Sequence, residues 1–205
     1  MAMRYLKRYI EVQRNKYMKT KLAIFDLDGT LFDTYEVNFS SYEMALKEEG
    51  YTLDRGFYKS RCNGKHYKEY LPLIIDKPSN DLMERIHCRK KMLYPTFLSH
   101  AKENKHLLLL IQLIRSDYHI ALVTTASKAN CMSLLEYHNI SSSFELILTQ
   151  EDVTNMKPDP EGFLKTINYF GTTPEDTLIF EDSDSGIEAA KKCGASILSV
   201  LDFSN

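Results

Sequence analysis

Two aspartates end a run of apolar residues in Leu22-Ala23-Ile24-Phe25-Asp26-Leu27-Asp28-Gly29-Thr30, and few folds accommodate that arrangement. A short unbroken apolar run is the pattern of a strand buried on both faces of a parallel sheet. Carboxylates at the end of such a strand are costly to bury unless they are paired or bound to a cation, so they mark a site. Taken alone, Asp-x-Asp-Gly-Thr also reads as a surface turn, since Asp and Gly are ordinary turn residues. The remainder of the chain decides between the two.

From Ala101 onward, helical and strand patterns alternate, the signature of a parallel sheet with crossover helices. Helices are expected over 102–117, 127–138, 160–170 and 185–193, with Ser127, Asp159 and Asp184 as caps and Gly171 and Gly194 as stops. Strands are expected over 119–124, 144–148, 177–180 and 195–200. Between Tyr35 and His100 the pattern is helical only: 37–49, 54–62, 65–75 with a break at Pro72, and 79–98. The fold class is therefore α/β, a Rossmann-like parallel sheet sandwiched by helices, with a small all-helical insertion. The divisions are a basic N-terminal extension over 1–20, a core from 21–35 and 101–205, and a helical cap over 36–100.

Several function classes are disfavoured. A net charge of -2 over 205 residues gives no reason to expect nucleic acid. The four cysteines form no Cys-x-x-Cys pair, and the six histidines form no His-x-His or His-Glu-x-x-His arrangement, so neither a zinc site nor a disulfide framework is indicated. The apolar run 107–111 is too short to span a bilayer, and no secretory pattern opens the chain. A soluble, cytoplasmic, monomeric protein without a membrane partner is the expectation. Charge is uneven: residues 1–21 carry seven lysines and arginines against Glu11 alone, with Leu6, Tyr9, Ile10, Gln13 and Tyr17 near helical spacing. A packed or solvated amphipathic arm is the reading of that segment.

Three further features fall where strands of the sheet would end. The 119–124 strand runs into Thr124-Thr125, Lys157 sits in a loop between Met156 and Pro158, and the 177–180 strand runs into Glu181-Asp182-Ser183-Asp184-Ser185-Gly186. In an open parallel sheet the carboxyl ends of the strands share one edge, so these loops converge with Asp26 and Asp28. Asp26, Asp182 and neighbouring Glu181 offer hard oxygen ligands suited to Mg²⁺, while Thr124, Thr125 and Lys157 offer donors and positive charge for a dianion. Separately, Thr124 reads equally well as a helix cap and Lys157 as a solvated loop lysine. Together the groups describe a phosphoryl-transfer site.

With those residues in order, the chain resembles the haloacid dehalogenase-like superfamily of phosphohydrolases. Its four motifs are matched by Asp26-Leu27-Asp28-Gly29-Thr30, Thr124, Lys157-Pro158 and the Glu181–Gly186 stretch, and the helical insertion falls where a cap of the first type belongs. The resemblance implies that Asp26 is the nucleophile and Asp28 the general acid and base. It implies phosphate binding by Thr124, Thr125 and Lys157. It also implies Mg²⁺ on Asp26, the Asp28 carbonyl and Asp182, with Glu181 binding directly or through water. The turn carrying Arg61, Asn63, Lys65 and His66 is the implied substrate-specificity segment, and the substrate a small phosphorylated metabolite. The alternatives are a hexose-phosphate mutase of the beta-phosphoglucomutase kind and a catalytically silent binding module. Mutases usually carry histidine where this chain has Asn38, and a silent module typically loses carboxylates that this chain retains.

Overall fold

The computed structural model describes residues 19–201 and Phe203. The amphipathic reading of the N-terminal segment concerns residues 6–17, which lie outside the described residues. Among the described residues no helix is long and apolar enough to cross a membrane.

Five parallel strands form the sheet: β1 (Lys21–Phe25), β4 (Tyr118–Val123), β5 (Leu146–Leu148), β6 (Thr177–Glu181) and β7 (Ser196–Ser199), in the order β5-β4-β1-β6-β7. The strand bearing the two aspartates is central. Its side chains alternate between two apolar layers, as the two-residue period of a strand requires. Ala23 and Phe25 join Leu122, Phe180, Cys131, Leu134 and Ile111 on one face, while Leu22 and Ile24 join Val123, Ile179, Phe163, Ile167 and Ala189 on the other. Phe25 stacks on Phe180 at 4.4 Å between ring centroids. Helices α5 (Lys105–Ile114) and α6 (Lys128–Tyr137) cover the first face, and α7 (Glu161–Phe170) and α8 (Asp184–Cys193) the second.

Between β2 (Phe32–Asp33) and β3 (Lys102–Glu103) the chain is helical: α1 (Tyr35–Glu48), α2 (Arg55–Phe57) leading into a π turn over Tyr58–Cys62, α3 (Tyr67–Ile74), and α4 (Asn80–Leu93) leading into a 3₁₀ segment over Tyr94–His100. These elements share an apolar core of their own, built from Phe39, Tyr42, Leu46, Tyr58, Tyr70, Leu71 and Ile86.

Several boundaries differ from the sequence expectations for identifiable reasons. The helix expected over 102–117 starts at Lys105, because Lys102–Glu103 pairs antiparallel with Phe32–Asp33 and Asn104 caps the helix by accepting from Leu107 N–H at 3.2 Å. The expected break at Pro72 is absent; the carbonyl deprived of its partner belongs to exposed Lys68, where water can satisfy it. The 79–98 helix tightens to 3₁₀ at Tyr94, with Pro95 in its first turn. Ser183, not Asp184, caps α8 by accepting from Gly186 N–H at 3.1 Å. Pro160, not Asp159, occupies the cap position of α7, and Asp159 instead accepts from Glu161 N–H at 2.9 Å.

Ile24 has no exposed surface and sits between β4, β6 and the helices of one face. Replacing it with alanine is expected to lower stability by about 3 kcal/mol, read as a shift in the denaturant midpoint at unchanged slope.

Candidate active site

Each group expected at the edge is carried there by the end of a strand. Asp26 follows β1 and donates its N–H to Phe180 O at 3.0 Å, so the sheet ladder continues into the residue and fixes its direction. Its side chain is buried, and Oδ1 accepts from Lys157 Nζ at 2.6 Å. The same ammonium donates to Glu181 Oε1 at 2.5 Å and to the carbonyl of Val123 at 2.9 Å. All three of its N–H groups are therefore taken by protein acceptors from three strand ends. Burial alone would lower the pKa of Lys157, but Asp26 and Glu181 reverse this and hold it above the ordinary value. Burial pushes Asp26 well up, with the charge of Lys157 opposing and that of Glu181 adding.

Glu181 is fully buried, and its second oxygen accepts from the N–H groups of Asp182 and Ser183 and from the Ser183 hydroxyl, each at 3.0 Å. It is thus a holder of Lys157 and of the acidic loop. Asp182 lies open to the cleft and its Oδ1 accepts from Thr30 Oγ1 at 2.8 Å. Desolvation raises it to about 6, with the Thr30 hydrogen bond opposing and Glu181 adding to the rise.

One carboxylate oxygen from each of Asp26, Glu181 and Asp182 lies within 4.8 Å of the others. This oxygen set fits a hard divalent cation, and the upward shifts of Asp26 and Asp182 are those a cation would offset. Because Glu181 already accepts from four donors, Asp26 and Asp182 are the carboxylates left to face an ion. The backbone makes room: at Gly29, with φ of 88°, an added Cβ would lie 2.0 Å from Asp182 Oδ2.

Asp28 points the other way. Its Oδ1 accepts from the Thr34 hydroxyl. Asn38 Nδ2 in turn donates to Thr34 O and Oγ1, both at 3.1 Å, and Asn38 Oδ1 accepts from Lys90 Nζ at 2.6 Å. A continuous hydrogen-bonded chain thus runs from Asp28 into α4. Burial raises the Asp28 carboxyl, with the Thr34 hydrogen bond opposing. Thr124 Oγ1 accepts from Ala126 N–H at 3.0 Å, which leaves its hydroxyl hydrogen free to donate; Thr125 is exposed beside it.

Asp26, Asp28, Thr124, Thr125, Lys157 and Asp182 line a cavity of about 590 Å³ between the sheet edge and the helical insertion. Of the four residues expected to set specificity, Asn63, Lys65 and His66 line this cavity, and Arg61 does not. Arg61 lies on the π turn with its side chain exposed elsewhere. The insertion also brings in Tyr42, His87, Lys90 and Lys91, which motif reasoning does not reach. Lys90 had one legible signal: it interrupts the buried stripe Met83, Ile86, Leu93 of α4 at helical spacing.

The geometry defines an α/β core with a Rossmann-like parallel sheet whose central strand ends in the carboxylates of Asp26 and Asp28. The chain belongs to the haloacid dehalogenase-like hydrolase family, whose model matches residues 23–200. It is 30% identical to the phosphorylated carbohydrates phosphatase of Thermotoga maritima over 178 residues, covering 84% of this chain and 81% of the relative. It is 27% identical to the phosphoglycolate phosphatase of Aquifex aeolicus, with 85% and 81% covered. Among solved structures, a Thermotoga maritima protein provisionally assigned as a beta-phosphoglucomutase matches with a TM-score of 0.72 at 29% identity, covering 90% of this chain and 87% of that one. Members of this family are generally metal-dependent, in keeping with the acidic cluster.

Two outcomes are expected. Gly29→Ala forces Asp182 aside and strains the left-handed backbone, so divalent-cation binding measured by calorimetry should weaken at least ~10-fold. Lys90 is buried, and desolvation lowers its pKa to about 8 from an ordinary 10.5. Between those values the unfolded chain holds the proton and the folded protein does not, so stability rises with pH across that window and the cost of the buried charge is complete below about 8. Lys90→Met should therefore gain about 1–3 kcal/mol at neutral pH, a gain that shrinks to nothing as pH approaches 10.5, measured by denaturation at successive pH values.

Proposed function

We propose that this protein is a Mg²⁺-dependent phosphatase that hydrolyses a small phosphorylated metabolite through an aspartyl-phosphate on Asp26. One observation carries the reading: Asp26 has one oxygen fixed by Lys157 and its carboxylate beside that of Asp182, at the floor of a cavity of substrate size. The named activities of the phosphatase relatives support it.

In the first half-reaction the unheld oxygen of Asp26 attacks phosphorus while the bond to the ester oxygen breaks. Asp28, whose carboxyl burial favours the protonated form, gives its proton to the departing oxygen. In the second half-reaction Asp28 takes a proton from water, that water attacks phosphorus, and the bond to Asp26 breaks. The hydroxyls of Thr124 and Thr125 meet the phosphoryl oxygens, and Lys157 opposes the protonation that burial favours at Asp26 and aims its carboxylate. Asp26, Asp182 and the Asp28 carbonyl would hold Mg²⁺, which would supply the charge that lets a carboxylate approach a phosphate dianion. Asn38 favours water as acceptor over a second sugar hydroxyl: where mutases usually carry histidine, its amide is spent on Thr34 and Lys90.

The test is hydrolysis of para-nitrophenyl phosphate with and without Mg²⁺. Turnover should require the ion and fall at least ~10³-fold in Asp26→Asn. A wild-type protein inert toward a panel of phosphomonoesters in Mg²⁺ would refute the phosphatase reading in favour of a silent binding module.

A further inference from the structure

Charge is divided across the cavity. The carboxylates of Asp26, Asp28, Asp33 and Asp182 lie on the sheet side, whereas the insertion contributes Lys65, Lys90 and Lys91 against Glu69 alone. Lys90 is the unusual member. On the outside of the insertion, four basic groups are matched with glutamates: Arg55 with Glu36, Lys68 with Glu84, Arg85 with Glu49, and Arg89 with Glu48. These exposed pairs contribute little to stability. Lys90, the neighbour of Arg89, is only 6% exposed and has no carboxylate within ion-pair distance among the described residues. Among the described residues its one hydrogen bond is to the neutral amide of Asn38, and the rings of Tyr42 and Tyr94 flank it at 5.2 and 4.8 Å. A buried ammonium with two N–H groups unspent is a cost that packing alone does not repay.

We propose that Lys90, with Lys91 beside it on the cavity wall, binds a second anionic group carried by the leaving alcohol, so that the preferred substrates are phosphomonoesters of acids or of other phosphates. This rests on the phosphatase reading. The Asp28 carboxylate acts on Lys90 only from a distance, and the anion supplies the direct counter-charge that Lys90 lacks among the described residues. Because Lys90 is joined through Asn38 and Thr34 to Asp28, the same contact seats the leaving oxygen against its proton donor. The cavity, at about 590 Å³, has room for leaving groups up to the size of a sugar phosphate.

The experiment compares kcat/KM within matched pairs: carboxymethyl phosphate against 2-hydroxyethyl phosphate, and glucose 1,6-bisphosphate against glucose 1-phosphate. The first pair reports a carboxylate and the second a phosphate. The charged member of at least one pair should be preferred ~10-fold or more, chiefly through KM. Lys90→Gln should collapse that ratio toward one, and Lys90→Arg should retain it. Binding of the same pairs to Asp26→Asn protein, measured by calorimetry, should show the same preference without turnover. Equal kcat/KM within both pairs overturns the proposal, as does a Lys90→Gln protein that loses activity on both members equally with the ratio intact. Hydrolysis of para-nitrophenyl phosphate separates the cases: if it proceeds while no anion preference is found, the phosphatase reading stands and this inference falls. If it does not proceed and calorimetry shows no preference, both fall.

Discussion

Three strand ends meet on one ammonium. Lys157 takes Asp26 from β1, Glu181 from β6 and the carbonyl of Val123 from β4, and each of these acceptors is withdrawn from water. Removing the cation would leave two buried carboxylates facing each other, a far larger penalty than any exposed ion pair could offset. The edge of the sheet is therefore organised from within by a charge that has no donor to spare. With that ammonium spent, the groups left facing the cavity at this edge are the hydroxyls of the Thr124-Thr125 turn and the carboxylates of Asp26 and Asp182, of which Asp182 is the more exposed.

The opposite wall follows a different logic. The helices of the insertion bury a set of tyrosines whose hydroxyls and rings enclose polar groups without neutralising them: Tyr42 accepts or donates to His87, and Tyr42 and Tyr94 flank Lys90. Desolvation holds His87 down at about 4, so this histidine is neutral at ordinary pH and adds no positive charge to the wall. The positive potential there comes from lysines, with Lys90 set deepest. Core and insertion are thus built around opposite problems, excess negative charge held by one cation on the floor and an unmatched cation in the roof.

The acidic edge of the sheet is legible in the sequence because its signals are local. An apolar strand that ends in acid, a helix that opens on Ser127 and stops that are true left-handed glycines at Gly171 and Gly194 need only neighbouring residues to be read. What escapes is decided by contacts across the fold. β2 and β3 are two residues each, too short for any periodicity, and exist only because they pair with one another. Lys90 sits at a position whose spacing matches a buried stripe, yet its burial depends on Tyr42 of a different helix and Tyr94 beyond the end of its own. Arg61 and Lys65 are similar in charge and neighbours in sequence; the π turn over Tyr58–Cys62 and the His66 cap of α3 determine that only the second meets the cavity.

The pairing of β2 with β3 has a consequence for what this architecture can become. The chain leaves the core at Phe32–Asp33 and returns at Lys102–Glu103, and the antiparallel bonds hold departure and return side by side. Asn104 reinforces the clasp by donating to Thr30 O at 3.1 Å. Everything between is a loop whose ends are already closed, so the entropy of closing it rises only with the logarithm of its length. Helices can be lengthened, lost or exchanged in that loop while the carboxylates a few residues upstream of the clasp keep their places, so one wall of the cavity is open to change over a floor that stays fixed.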